Sequence, residues 1–209
     1  MEISQCIAKL QTAFNKPLPG YDAQQIMSPL HRKSSAFYLE KNPAYKTGCV
    51  LLLLYPDADL QTNLIMIERS DESATHAGQI SFPGGKREMD DVTLTDVALR
   101  ETYEEIGVDP STIKVLGELS ELYIPVSNFL VHPFVGFVNS VPDFKLSTLE
   151  VKGVLTLKLD FFLAHKSFTT FDFTSYDGQT IKAPYYPYQN YKIWGASAMM
   201  ISELCTLIK

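Results

Sequence analysis

The sequence has few cysteines and no long apolar run. Its 209 residues include three cysteines, Cys6, Cys49 and Cys205, which lie far apart and form no Cys-x-x-Cys pair. Neither a disulfide framework nor a cysteine zinc site is therefore indicated. The longest apolar run, 49–55, is seven residues long and too short to cross a bilayer. Because the first residues also lack the features of a signal peptide, we expect a cytoplasmic protein with no membrane partner.

The chain also lacks an excess of positive charge. It carries 18 Lys and Arg against 24 Asp and Glu, for a formal net charge of −6. This balance argues against a protein that binds nucleic acid through a broad basic surface. Apolar residues make up 45% and charged residues 20%, which is an ordinary globular composition. A soluble enzyme is the leading class.

Hydrophobic spacing predicts how the chain is organised. Apolar residues recur at helical spacing over 3–14, and prolines and glycines follow, so 1–40 is interpreted as an N-terminal helical extension that packs on or caps a main domain at 41–209. Strands are predicted at 49–55, 64–67, 131–138 and 154–159, and helices at about 95–106 and 194–207. Pro133 predicts an edge or a bend in its strand. Strands mixed with helices indicate an α/β or α+β sandwich.

Three glutamates, Glu101, Glu104 and Glu105, fall on one face of the helix predicted at 95–106. At about 100° per residue they share an arc of roughly 100°. They repel one another, and they lie in the last turns, where the helix macrodipole disfavours negative charge. The arrangement therefore costs stability unless a cation occupies the site. The residues expected to face the core from the other side are Leu99, Tyr103 and Ile106.

A hard divalent cation would satisfy this acidic face. Mg²⁺ and Mn²⁺ take oxygen ligands and commonly share their coordination shell with substrate phosphates. The alternative is a solvated charged face, which is the common meaning of such spacing by itself. Gly84 and Gly85 lie just upstream and favour the metal interpretation, because glycines let the backbone approach a ligand or metal closely.

Gly85, Asp90-Asp91 and the run from Arg100 to Gly107 together resemble the signature of the Nudix hydrolases. The second half, Arg-Glu-aliphatic-x-Glu-Glu-x-Gly-aliphatic, matches at every position except Thr102. In the first half Asp91 replaces a Glu, and eight residues instead of seven separate it from Arg100, which leaves the role of Asp91 open. The resemblance implies a Nudix-type α/β/α sandwich with a mixed β-sheet.

Further segments look like the coenzyme A pyrophosphatase branch of that family. They are 65–70, 76–85 and 193–198, so the resemblance spans about 45–205. Ala74 stands where the branch has an Arg, and one expected contact to coenzyme A is thereby missing. The resemblance implies hydrolysis of coenzyme A or a derivative to 3′,5′-ADP and 4′-phosphopantetheine. Two alternatives stay open: the same reaction on NADH, ADP-ribose or another nucleoside diphosphate derivative, and a non-catalytic nucleotide-sensing domain.

The resemblance also implies roles for particular residues. The metal ligands expected are Glu101, Glu104, Glu105 and the backbone carbonyl of Gly85. The catalytic group expected is Arg100, Glu101, Glu104 and Glu150. Within it Arg100 orients a carboxylate, and either Glu101 or Glu150 is the base. For Glu150, a plain surface carboxylate is the equal alternative.

The sequence says less about which residues bind the substrate. The residues expected to bind substrate are Arg69, His76, Lys86 and Arg87, and for the three cations a solvated charge is the alternative. His132 is interpreted as structural. The tyrosines between 185 and 191 are expected either to stack on a base or, with more weight, to pack at a strand edge or a subunit contact, and a homodimer is open.

Overall fold

The computed structural model describes residues 1–70, 78–164, 169–174 and 178–209. Its helices are α1 (Ile3–Ala13), α2 (Gly20–Gln24), α3 (Ser35–Lys41), α4 (Leu94–Ile106), α5 (Leu159–Ala164) and α6 (Gly195–Ile208). Its strands are β1 (Lys46–Pro56), β2 (Thr62–Arg69), β3 (Ile80–Ser81), β4 (Gly84–Lys86), β5 (Lys114–Glu118), β6 (Leu122–Ile124), β7 (Phe129–Phe137), β8 (Val151–Lys158), β9 (Thr169–Thr174), β10 (Thr180–Tyr188) and β11 (Tyr191–Trp194). Among the described residues, none of the helices combines the length and the apolarity that a membrane crossing requires.

Eight strands of the described chain form one mixed sheet. Its main path runs β3-β2-β1-β7-β5, while β4 pairs with β1, β6 with β7 and β8 with β2. The pairing of β1 with β7 is parallel, and the other pairings are antiparallel. Because β1 is buried on both faces, it reads as a continuous apolar run in the sequence, as central strands do.

Two separate cores lie on the two faces of this sheet. On one face α4 packs through Val97, Ala98 and Ile106 onto Leu51 and Leu53. We call this the α4 face. On the other face α1 and α6 pack on alternate residues of the same strands. The α/β/α sandwich with a mixed sheet is therefore confirmed.

The N-terminal segment shares its core with the end of the chain. Cys6 and Leu10 from α1 and Met27 lie in the same buried cluster as Ile201 and Leu204 of α6. The three helices of this segment pack on the sheet and on α6, and the third continues to Lys41, one residue past the predicted boundary. The segment therefore covers the face of the sheet opposite α4.

Pro133 lies in an interior strand, and the edge prediction is wrong. On one side β7 pairs along its whole length with β1. On the other side its partner changes from β6 to β5, and the carbonyl of Pro133 accepts from the N–H of Leu119 between these two strands. Since N–H and C=O of one strand residue point to the same side, the missing N–H of Pro133 falls at this interruption of the ladder.

A second sheet, formed by β9, β10 and β11, carries most of the C-terminal aromatic residues. Tyr186 is buried, and its ring meets Phe162 edge-on. The ring of Tyr188 meets Phe161 in the same way. These two tyrosines therefore pack beside α5 from the central strand of this sheet, and not at a strand edge.

Candidate active site

Helix α4 is capped at both ends, and these caps fix the position of its acidic residues along the helix. Thr93 and Asp96 form a reciprocal capping box at its N-terminus. At the other end Gly107 is left-handed, with φ of 74°, and its N–H donates to the carbonyl of Tyr103 at 2.8 Å. A side chain at Gly107 would also collide with Lys145, since an added Cβ would lie 2.6 Å from the Cβ of that residue.

The residues of α4 that face the core differ from the prediction, because Tyr103 is 56% exposed. Thr102 and Glu105 lie on the buried face of the helix instead. Thr102 can occupy a core position because its hydroxyl donates to the carbonyl of Ala98 at 2.7 Å. The same position is aliphatic in the Nudix signature, so the threonine is a compatible replacement.

Glu105 is the most deeply buried acid of the helix, with 1% of its surface exposed. Its Oε2 accepts from the backbone N–H of Gly84 at 2.8 Å, and its Oε1 lies 3.5 Å from Nη1 of Arg69. Burial, with smaller contributions from the charges of Glu101 and Glu150, raises the pKa of Glu105 to about 7 against the opposing effects of Gly84 and Arg69. The carboxylate is therefore held in a place where its charge is poorly compensated.

Gly84 and Gly85 let β4 lie between β1 and the helix. At Gly84, where φ is 153°, an added Cβ would lie 2.2 Å from the carbonyl oxygen of Cys49. At Gly85 it would lie 2.3 Å from a carboxylate oxygen of Glu101. A side chain at Gly84 would require the backbone to shift, and one at Gly85 would require Glu101 to move, so the two glycines bring backbone directly against the acidic face.

Arg100 binds the carboxylates around it. Its Nε and Nη2 each donate to one oxygen of Asp91 at 3.0 Å, which is the bidentate geometry expected of this arginine. Its Nη1 donates to Glu101 at 3.0 Å and to Glu104 at 2.9 Å. The hydrogen bond from Arg100 lowers the pKa of Asp91 below its usual range. The one-residue expansion of the signature therefore still places Asp91 on Arg100.

Glu150 lies in the turn before β8, within electrostatic reach of the helix. Burial raises the pKa of Glu101, Arg100 opposes this, and the charges of Glu104 and Glu150 add to the rise. The exposed Glu150 makes no side-chain hydrogen bond or ion pair to another described residue, and its backbone carbonyl accepts from Ser70. Four carboxylates thus share one region: Glu101, Glu104, Glu105 and Glu150.

The structure places the predicted substrate-binding residues differently from one another. Arg69 reaches Glu105. Arg87 follows β4 and continues its pairing through an N–H hydrogen bond to the carbonyl of Thr47, so its side chain shares the face of Gly85. Its Nη2 makes a 3.4 Å contact to the carbonyl of Asp91. Lys86 follows Gly85 directly, so its side chain leaves the strand on the opposite face. His76, like Ala74, lies outside the described residues.

One contact near the site was missed in the sequence. His132, interpreted there as structural, places Nδ1 2.7 Å from Oε1 of Glu118. The two residues belong to β7 and β5, and only the register of those strands brings them together. No local pattern marks Glu118.

Known proteins resemble this chain in sequence. A sequence model of the NUDIX domain matches residues 47–147. An uncharacterized Nudix hydrolase of Yersinia pestis, NudL, is 34% identical over 144 residues, which are 69% of this chain and 71% of that protein. The chain belongs to the Nudix hydrolase family. Nudix hydrolase 3 of Caenorhabditis elegans is 27% identical over 165 residues, covering 72% of this chain and 68% of that protein.

The fold agrees as well. The crystal structure of a MutT protein from Methanosarcina mazei matches with a TM-score of 0.50 at 20% identity, over 78% of this chain and 93% of that one. Family membership confirms the expected enzyme class, a pyrophosphohydrolase. Nudix hydrolases generally use divalent metal ions.

The residues of the α4 face fit such an ion in their chemistry. They offer several hard carboxylate oxygens, and Glu101 and Glu105 both have raised pKa values because burial disfavours their charge. As they stand, no three acidic, histidine or cysteine side chains among the described residues converge closely enough to enclose a metal. Arg100 instead bridges Glu101 and Glu104. Because half of the Glu104 side chain is exposed, it can leave Arg100 without breaking a buried contact.

Proposed function

We propose that this protein is a Mg²⁺- or Mn²⁺-dependent hydrolase that cleaves the diphosphate of coenzyme A or a derivative, giving 3′,5′-ADP and 4′-phosphopantetheine. The observation that carries the hydrolase assignment is the poorly compensated carboxylate of Glu105, held by Gly84 beside Glu101. The coenzyme A assignment is supported by the resemblance of 65–70, 76–85 and 193–198 to that branch of the family.

Glu101, Glu104 and Glu105 are proposed to hold the metal. A bound divalent ion supplies neutralisation of the diphosphate charge and a lower pKa for the attacking water. Strand geometry favours the carbonyl of Gly84 over that of Gly85 as a further ligand. The N–H of Gly84 points to Glu105, so its carbonyl lies on that side, whereas Gly85 is paired in register with Cys49 of β1.

Asp91 and Arg100 act through the other residues. The bidentate contact fixes the guanidinium, and the guanidinium in turn holds Glu101 and Glu104 on the same side of the helix. Removing the charge of Arg100 would leave these acids to repel each other.

The base is assigned to Glu150 or Glu101. Glu150 is exposed and its side chain has no partner among the described residues, so it can accept a proton from water without first losing a side-chain contact. Glu101 is largely enclosed and is held by Arg100, which suits a ligand better than a base. We therefore favour Glu150 for this role.

Two other functions differ from this one in the substrate or in turnover. Hydrolysis of NADH, ADP-ribose or another nucleoside diphosphate derivative would use the same carboxylates, and Ala74 in place of the branch's Arg favours it over coenzyme A. A nucleotide sensor without turnover is less compatible with the site, because binding alone gives no reason to bury Glu105 among other carboxylates.

A substrate panel separates these functions. Wild-type protein is assayed with Mg²⁺ and with Mn²⁺ on coenzyme A, on coenzyme A lacking its 3′-phosphate, on NADH and on ADP-ribose, with Glu105→Gln as the blank. We expect the highest kcat/KM on coenzyme A. Equal rates with and without the 3′-phosphate would argue against this substrate, faster turnover of NADH or ADP-ribose would select the alternative, and nucleotide binding without turnover would support the sensor.

A further inference from the structure

The pair formed by His132 and Glu118 lies on the same face of the sheet as the carboxylates. Across three adjacent strands, Gly85 of β4 is paired with Cys49 of β1, and Cys49 is paired with His132 of β7. Residues paired in this way point to one face, and Gly85 faces Glu101. At about 5 Å per strand, His132 lies roughly 10 Å from Gly85 along the α4 face.

Cys49 forms the buried floor between the carboxylates and this pair. Its thiol is fully buried. In the strand register Cys49 stands between Gly85, which faces Glu101, and His132, which contacts Glu118. The carboxylates and the pair therefore border one strip of the α4 face.

Both basic residues beside the floor have unused hydrogen-bonding capacity. Nε2 of His132 has no partner within the described ranges, and it is not enclosed, since the one buried side-chain polar atom without a partner there is Oγ of Ser81. Arg87 forms no ion pair with any described residue, and its single side-chain hydrogen bond is the 3.4 Å contact to Asp91. A strip with an open imidazole and an open guanidinium suits a polar, anionic ligand.

We propose that His132, positioned by Glu118, binds the nucleoside part of the substrate that is not cleaved. This inference rests on the proposed function and extends it along the α4 face. Glu118 accepts a hydrogen bond from Nδ1–H, so in the neutral ring Nε2 is the acceptor. An acceptor there matches a ribose hydroxyl or a base amino group. Arg87, two residues from Gly85 on the same face, is placed to contact the adjoining phosphate.

The test separates substrate binding from turnover. His132→Phe keeps a ring of similar size and removes both nitrogens. We expect KM for the preferred substrate to rise about tenfold while kcat stays within about twofold, because one hydrogen bond to substrate is lost. His31→Phe, an exposed histidine in the N-terminal segment, is the matched control and should leave both constants unchanged.

Glu118 provides the test of positioning. Glu118→Leu should reproduce the rise in KM, whereas Glu118→Gln should restore most of the wild-type value, because its amide oxygen still accepts from Nδ1–H. An unchanged KM in His132→Phe, or a loss confined to kcat, would overturn the inference. So would an equal rise in KM with Gln and with Leu at position 118.

A binding measurement keeps this inference distinct from the hydrolase assignment. The affinity for adenosine 5′-monophosphate is measured calorimetrically, without metal, for the wild type and His132→Phe. About tenfold weaker binding in the variant supports the inference even if the wild type hydrolyses none of the panel, a result that would overturn the proposed function alone. Equal affinity in a folded variant overturns the inference.

Discussion

Two buried glutamates on opposite sides of the sheet have contrasting surroundings. Glu203 of α6 is fully buried and accepts from three neutral donors: the N–H groups of Gly20 and Ser120, both at 3.2 Å, and Nε2 of Gln24 at 2.9 Å. Glu105 of α4 is buried nearly as deeply but accepts at short range from Gly84 alone, and it lies near other carboxylates.

The difference in surroundings indicates a different role for each acid. Hydrogen bonds to a buried carboxylate offset its lost hydration, so Glu203 can join the N-terminal segment and the connection between β5 and β6 to α6. Glu105 has one short backbone hydrogen bond and a longer contact of 3.5 Å to Arg69, and its pKa is raised in spite of both. We interpret Glu203 as structural and Glu105 as a ligand whose charge is compensated when a cation binds.

The largest effect is expected from a substitution at Glu105. We expect Glu105→Gln to lower kcat by roughly 100- to 1,000-fold, because a metal ligand is lost. The melting temperature should stay the same or rise, because a poorly compensated buried charge is removed. Steady-state hydrolysis and thermal unfolding measure the two effects. Glu121→Gln, an exposed acid outside α4, is the control and should change neither.

Glu203→Gln should show the opposite pattern. The amide group would direct an N–H at one of the three donors, and we expect a loss of about 1–3 kcal/mol in the free energy of unfolding. Turnover per folded molecule should be unchanged. Urea titrations of this variant, of Gln24→Ala and of the double variant should show a double loss smaller than the sum, because both residues belong to one network. A large fall in kcat at unchanged stability would contradict the structural role.

Substitutions at Gly84 and Gly85 distinguish effects on the fold from effects on the carboxylates of α4. At Gly85→Ala the new methyl group meets the flexible end of Glu101, so we expect roughly a tenfold lower kcat and little change in stability. At Gly84→Ala it meets backbone atoms of Cys49, at a φ that side chains rarely adopt, so stability should fall by at least about 1–3 kcal/mol. Kinetics and urea unfolding of both variants distinguish them. Equal losses of stability would show that Glu101 does not move aside.

Asp91→Asn should have the smallest effect, and the effect should depend on pH. Arg100 lowers the pKa of Asp91, so the ionised acid stabilises the fold above its ordinary pKa near 4, and this stabilisation is lost as the pH falls through the lowered value. We expect the variant to be about 1–2 kcal/mol less stable at pH 7. The gap to wild type should narrow below about pH 4 in urea titrations. A gap that stays constant with pH would mean that the Arg100 contact contributes nothing to it.

Much of the site follows from local sequence. Helix α4, its glycine terminator and its three glutamates could be predicted because helical spacing is set within a few residues. Tyr103 was misplaced, and the burial of Thr102 was not predicted, because the face that the helix buries depends on where β4 meets it. The contacts of Glu118 with His132 and of Glu203 with Gln24 join distant segments, and strand register and helix packing decide them. The interior position of Pro133 depends on the same non-local pairing.

Metal binding at Glu105 tests the central claim most directly. Thermal unfolding is followed while Mg²⁺ or Mn²⁺ is added to the wild type and to Glu105→Gln. At about 100 times the dissociation constant, a site in the folded state alone stabilises it by about 2.7 kcal/mol. We predict this increase in the wild type and its loss in the variant. Equal stabilisation of the two proteins would contradict the assignment of Glu105 as a metal ligand.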